Sequence, residues 1–230
     1  MEIFLLRHFE SEKNVKDTMS NNDEEKLTLK GKKECKRFSY LFKKFCVEKN
    51  FQISEISAVD SCRAQETANI ISSVFEDMEV KCYSALRSTN AGNLAGKSLN
   101  DIQKEDPFFS KHYSLYRKGL LNLYFLDEHW SDTKKESKRD FEKRVMNFFD
   151  EIIREKKSDD ILIVGHRASI TAILINIARK IGLYSDDFYG SVDVSLGLLS
   201  WITLSENKKE WTINCVNSKI EEILKMSSII

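Results

Sequence analysis

Proline occurs once and glycine eight times in 230 residues, which leaves little room for a flexible linker, and no internal repeat or low-complexity tract is visible. A chain of this length can bury one substantial core, so a single domain over 1–230 with an elaboration is expected, not two independent units. Charge of one sign is not in excess either: 36 Lys and Arg stand against 36 Asp and Glu. No global field recruits nucleic acid or an anionic bilayer, and no basic–aromatic stripe compensates for it. Long hydrophobic runs are missing, and the one after Met1 is too short for a signal segment or a membrane span. The five cysteines (Cys35, Cys46, Cys62, Cys82 and Cys215) make no CxxC pair. Reduced thiols in a cytoplasmic protein are the expectation.

Histidine is scarce as well, with four in the chain, and two of them end short apolar runs. Ile3-Phe4-Leu5-Leu6 leads into Arg7-His8, and Ile161-Leu162-Ile163-Val164 leads into Gly165-His166. Runs without polar alternation read as strands buried on both faces of a parallel sheet, and ligands of such sheets sit beyond the carboxyl ends of the strands. Both imidazoles are therefore expected to open into one crevice. Neither HxxE nor HxH spacing occurs, and an arginine beside each histidine would repel a cation, so no metal is expected.

Periodicity fills in the rest. Phe38, Leu41, Phe42 and Phe45 put an apolar stripe on a lysine-rich helix from Leu29 to about Lys49. A second strand is expected from Ile53 to Val59, a helix from Ala64 to Phe75 and a third strand from Val80 to Tyr83. Another helix is expected over 138–156, the His166 strand comes next, and an apolar helix runs from Ile170 to Ile181. Two β runs, Val194 to Leu204 and Trp211 to Val216, read as a closing hairpin, and 219–230 as a final turn of helix or a frayed end. The alternation predicts a three-layer α/β/α sandwich with a mostly parallel sheet and a C-terminal antiparallel hairpin. Residues 84–136 break the rhythm, and a helical, cap-like insertion is expected at about 97–136.

Three segments carry a resemblance. Arg7-His8-Phe9-Glu10-Ser11 with Asn14, then Arg63-Ala64-Gln65-Glu66-Thr67-Ala68, then Val164-Gly165-His166 resemble, in order, the RHG, RAxxTA and second-histidine motifs of the histidine phosphatase superfamily, the phosphoglycerate-mutase-like fold. Leu27-Thr28 with Gly31, Glu136-Ser137 with Arg144, and Leu86-Arg87 with Gly92 and Gly96 resemble its lesser signatures. The resemblance implies a phosphatase with no cofactor, in which His8 is transiently phosphorylated. The residue types suit that chemistry: attack on phosphorus needs an in-line nucleophile, with positive charge and hydrogen-bond donors around the equatorial oxygens. Arg7 and Arg63 would fork onto those oxygens, with His166 bonding the same group. Ser11 and Asn14 are candidates for the pocket wall or for local capping, while Glu10 is expected to turn outward or pair with a cation.

The sequence also departs from the family pattern. Ser88 and Ala95 stand where a proton-donating glutamate is usual. Asp101, Glu105 or Asp106 could take over, the substrate could have an easy leaving group, or the protein could bind phosphate compounds and turn them over poorly. Phe9 replaces the motif glycine and either stacks on substrate or plugs the gap beneath the loop. Arg167, with Arg87, could read a second anion on the substrate, or it could pair with a local acid. The expected partner is a small phosphorylated substrate or a phosphoprotein, with oligomeric state left open.

Overall fold

The two histidine-tipped runs lie side by side. In the computed structural model β1 (Glu2–Arg7) and β4 (Asp160–Gly165) are parallel neighbours, with Ile3 opposite Ile161 and Arg7 opposite Gly165. The model describes residues 1–16, 23–76, 78–90, 92–94, 97–117, 136–156, 159–184, 192, 194–205 and 210–227. Ile3 to Leu6 and Ile161 to Val164 are fully buried, the outcome expected of strands covered by helices on both faces.

β4 continues in parallel to β2 (Ile53–Val59) and then to β3 (Val80–Tyr83). On the other side β1 pairs antiparallel with β5 (Leu199–Ser205), which pairs antiparallel with β6 (Glu210–Ser218). The sheet order is β3-β2-β4-β1-β5-β6, with the two histidine strands at its centre. The helices are α1 (Glu12–Lys16), α2 (Leu29–Lys49), α3 (Cys62–Ser72), α4 (Leu99–Glu105), α5 (Pro107–Arg117), α6 (Lys138–Lys156), α7 (Arg167–Lys180) and α8 (Ile220–Ser227). The expected mostly parallel α/β architecture with its antiparallel hairpin is what forms. Among the described residues no helix is long and apolar enough to cross a membrane.

Aromatic packing holds α2 on the sheet. Phe4 meets Phe42 edge-on at 5.1 Å, and Trp201 closes the cluster against Phe45 at 5.5 Å. Phe9 is buried between Phe38 and the backbone at Gly197, so it plugs the space beneath its loop. Gly197 has φ +66°, and a Cβ there would fall 2.4 Å from the Phe9 ring. This turn also explains a difference: β5 begins at Leu199, not Val194, because the Val194 carbonyl is taken by Arg7 Nη1 at 2.7 Å.

Two helices start earlier than their apolar stripes suggest. α3 begins at Cys62 and not Ala64, with extended Ser61 as its N-cap, and ends at Ser72, short of Phe75. α7 begins at Arg167 and not Ile170, with extended His166 as its N-cap. Stripe residues report only the packed face, whereas the first turn of a helix is set by capping. As a result Arg63 and His166 both sit at helix N-termini, where the macrodipole favours an anion.

The start of α2 is locked to the exit of β1. Thr28 caps α2 by accepting from the Gly31 N–H at 3.0 Å and donates to Glu10 Oε1 at 2.9 Å. Glu10 turns outward to Lys30 Nζ at 3.0 Å. A Cβ on Gly31 would lie 2.2 Å from the Glu10 carbonyl oxygen, a backbone atom that cannot swing aside. Gly31→Ala is therefore expected to cost about 3 kcal/mol, read as a lower denaturation midpoint with unchanged slope.

In the insertion, 97–117 is mostly helical as expected, with α4 and α5 joined at Asp106-Pro107, while 118–135 lies outside the described residues. Ala95 and Gly96 also lie outside them.

Candidate active site

His8 follows the last residue of β1, and its N–H bonds the Gly165 carbonyl at the end of β4 at 3.2 Å. That tie brings His8 beside His166: the ring centroids are 5.2 Å apart, with the rings edge to face. His8 Nδ1 lies 2.7 Å from the Phe9 carbonyl oxygen. A carbonyl only accepts, so Nδ1 carries the proton and Nε2 keeps the lone pair. Burial is the main reason that the His8 pKa falls to about 3, partly opposed by the Phe9 bond and reinforced by the charges of Arg63, Arg7 and Lys13. The ring is a neutral, correctly tautomerised base.

His166 is held at the head of α7, where its N–H meets Ser169 Oγ at 3.2 Å. Its pKa is pushed well below the ordinary value, first by burial, then by His8 and the nearby cations. Arg63 Nη2 stands 3.1 Å from His166 Nε2; a guanidinium only donates, so this imidazole nitrogen accepts. Among the described residues Arg63 Nε and Nη1 are buried and have no hydrogen-bond acceptor. Arg63 is charged and 2 % exposed, and it is balanced by ion pairs to Asp23 at 3.4 Å and Glu25 at 3.6 Å. Buried guanidinium donors without hydrogen-bond acceptors are chemically suited to an anion.

Beside this cluster, and sharing Arg63 with it, lies an open cleft lined by Lys13, Asp23, Arg63, Arg87, Ser88, Thr89 and Asn90; Arg7, His8 and His166 are not among its lining residues. Its wall is fastened by Arg144 of α6, which grips Glu136 at 2.6 Å and donates to the carbonyls of Ala85 at 2.7 Å and Arg87 at 3.2 Å. Arg144→Ala is expected to free the Leu86–Asn90 wall and to lower kcat/KM roughly 10-fold with little loss of fold, since small misplacements of binding groups are costly. Steady-state kinetics beside circular dichroism checks this.

The structure gathers Arg7, His8, Arg63 and His166 at the carboxyl edge of the sheet, and Ser88 and Arg87 line the cleft. Arg87 is paired there with Asp60 at 2.6 Å and Asp23 at 3.6 Å. Ser11 and Asn14 are not among the lining residues. Ser11 is fully buried, and both its N–H and its Oγ donate to Asn14 Oδ1, at 3.0 and 2.7 Å, so the pair caps its own loop. Arg167 occupies the first turn of α7, half-buried, and is likewise not among the lining residues.

The three carboxylates considered as replacement acids are committed locally. Asp101 accepts from Ser98 Oγ at 2.6 Å, Glu105 pairs with Lys97 at 2.6 Å, and Asp106 accepts from the Phe109 N–H at 2.9 Å. None of them lines the cleft. Sequence reasoning missed Lys13, Asp23 and Glu25. Burial and the charge of Arg63 lower the Lys13 pKa, while Glu25 and Asp23 support its charge. The available signal was weak: a cationic residue inside the first loop motif, and an acidic run after Asn21-Asn22 that nothing local ties to Arg63.

A mostly parallel sheet whose two central strands end in adjacent, neutral imidazoles beside a buried guanidinium defines an α/β protein with its ligand crevice at the carboxyl edge. The chain belongs to the histidine phosphatase superfamily (branch 1), whose family model matches residues 3–219. No curated protein matches the chain in sequence. Among solved structures it is similar to YhfR of Bacillus stearothermophilus (18% identity, TM-score 0.73), with 95% of this chain and 97% of that one covered. It is also similar to the alpha-ribazole phosphatase of Shigella flexneri (23% identity, TM-score 0.69, 95% and 96% covered). A third similar structure is the mycobacterial glucosyl-3-phosphoglycerate phosphatase in complex with VO3 (16% identity, TM-score 0.72, 95% and 99% covered).

Proposed function

We propose that the protein is a metal-independent phosphatase acting on small phosphorylated compounds through a phosphohistidine on His8. One observation carries the reading: a neutral His8 whose Nδ1–H is fixed on the Phe9 carbonyl, next to His166 and Arg63. Nε2 attacks phosphorus, and the P–O bond to the leaving group breaks. The Phe9 carbonyl steadies the positive charge that develops on the ring. Arg63 and Arg7 hold the equatorial oxygens, and a neutral His166, in its Nε2–H form, donates a hydrogen bond to the same group. Water then attacks the phosphohistidine, the P–N bond breaks, and inorganic phosphate leaves. Family membership supports this chemistry, as do similar folds whose members act on phosphate esters or hold VO3, a phosphate-like anion.

Both imidazoles are nearly covered, His8 at 3 % and His166 at 4 % exposure. Arg63 Nη2 bonds His166 Nε2 directly, so binding requires the guanidinium to exchange that nitrogen for a phosphoryl oxygen. Arg87, on the cleft wall, supports the reading that a second anion of the substrate is bound there.

Ser88 at the acid position and the covered rings favour a second reading, a phospholigand-binding protein with little turnover. Release of phosphate from p-nitrophenyl phosphate without added metal separates the two. Turnover supports the phosphatase; tight binding of inorganic phosphate with no release supports the binding protein.

A further inference from the structure

Ser88 cannot protonate a leaving alkoxide near neutrality, yet a carboxylate does stand in the cleft. Asp23 lines it together with Ser88 and Arg63, and its backbone is fastened there by the Cys62 N–H, which donates to the Asp23 carbonyl at 2.7 Å at the start of α3. Asp23 Oδ1 is 3.4 Å from Arg63 Nη2, the same nitrogen that lies 3.1 Å from His166 Nε2. One guanidinium nitrogen therefore separates this carboxylate from the imidazole pair. It is also partly open to solvent, with a side-chain exposure of 24%, so it can exchange protons with water. Glu25, the other acid on Arg63, is more enclosed at 11% and does not line the cleft.

We infer that Asp23 is the general acid and base of this site, in the role that Ser88 cannot fill; the inference rests on the phosphatase reading above. Asp23 also meets Arg87, whose Nε lies 3.6 Å from Oδ2, so the carboxylate stands in the cleft between two guanidinium groups that a phosphoryl group would engage. As His8 Nε2 bonds to phosphorus and the P–O bond breaks, the leaving oxygen takes the Asp23 proton and departs as an alcohol. The resulting carboxylate then accepts a proton from the water that attacks phosphohistidine. The P–N bond breaks, His8 Nε2 recovers its electron pair, and Asp23 is again a carboxylic acid. His8 Nδ1 keeps its proton throughout, donating it to the Phe9 carbonyl. The substrate class follows: with an acid in place, alkyl phosphates, whose alkoxides leave poorly unaided, are turned over as well as aryl or acyl phosphates.

The test is the leaving-group dependence of kcat for the wild-type protein, Asp23→Asn and Asp23→Glu, on p-nitrophenyl phosphate and on glycerol 2-phosphate. Asp23→Asn is expected to lose roughly 10²-fold or more on the alkyl ester but to stay within about fivefold on the nitrophenyl ester, which needs little acid help. Asp23→Glu is expected to recover part of the alkyl activity. A residue that only positions Arg63 would lower both substrates alike, through binding; equal losses, or an unchanged alkyl rate, overturn the assignment. If the Asn variant does not fold, the wild-type protein decides alone across a series of phosphate esters. A shallow dependence on leaving-group basicity supports an acid, and a steep one overturns it. Absence of any His8-dependent turnover of p-nitrophenyl phosphate is a different failure, because it removes the phosphatase reading itself.

Discussion

On the proposed mechanism, replacing His8 by alanine is expected to abolish phosphate release, with kcat falling roughly 10⁴-fold or more, the scale of a lost nucleophile in covalent catalysis. The fold is expected to survive the change. The ring is held neutral by burial and, among the described residues, its hydrogen bond is to the Phe9 carbonyl, so its removal strands no charge. The vacated space is bounded by β1 and β4, whose pairing is set by backbone bonds and fully buried apolar residues. Circular dichroism and a denaturation curve beside the assay separate a lost nucleophile from a lost fold. Substantial remaining activity in a folded His8→Ala protein would remove this residue from the chemistry.

Arg63 carries the second large expectation. Arg63→Ala is expected to lower kcat/KM by about 10³-fold, the scale of a lost preorganised donor to developing charge. The loss is compounded because Asp23 and Glu25 then face the incoming anion without the cation that balances them. Arg63→Lys is expected to restore little. A lysine is a point charge and cannot present the planar fork by which Nη2 meets His166 at 3.1 Å and Asp23 at 3.4 Å while Nη1 faces Glu25 at 3.6 Å. Kinetics on p-nitrophenyl phosphate checks both variants; a lysine variant with near wild-type kcat/KM would show that charge alone, and not the planar fork, is what the site requires.

The two central strands of the sheet were legible because they have no polar alternation. Ile3 to Leu6 and Ile161 to Val164 are hydrophobic at every position, and such runs admit burial on both faces and little else. The four polar residues that end or follow them, or open α3, were legible for the same reason: a histidine or arginine at the rim of a buried element has the crevice as its outlet. Phe9 could be read two ways, and its resolution as a plug depended on Gly197, which comes from a turn 188 positions on in the chain, at 197 against 9. Ser11 and Asn14 went the other way, because a short polar pair can satisfy itself locally before it reaches a ligand, and here it does.

The helix starts and the acids were not legible. Apolar periodicity locates the packed stripe of α3 and α7 but not the capping residue, so α3 starts two and α7 three positions earlier than the stripes suggested, with Arg63 inside the first turn and His166 at the N-cap. Asp23 and Glu25 belong to a polar loop that would be equally content in solvent. The long-range bond from the Cys62 N–H to the Asp23 carbonyl, with the ion pairs to Arg63 and Arg87, draws that loop over the site. Asp101, Glu105 and Asp106 were nearer in sequence to the missing acid, but helix caps and a lysine use them first.

The most direct test is to quench the protein during turnover of a labelled phosphate ester and map the phosphorylated residue. The account predicts a single phosphoenzyme, stable to alkali and labile to acid, with the phosphoryl group on His8 and absent from the His8→Ala protein. A phosphoryl group on any other side chain, or turnover by the wild type that continues with His8 never labelled, would contradict it.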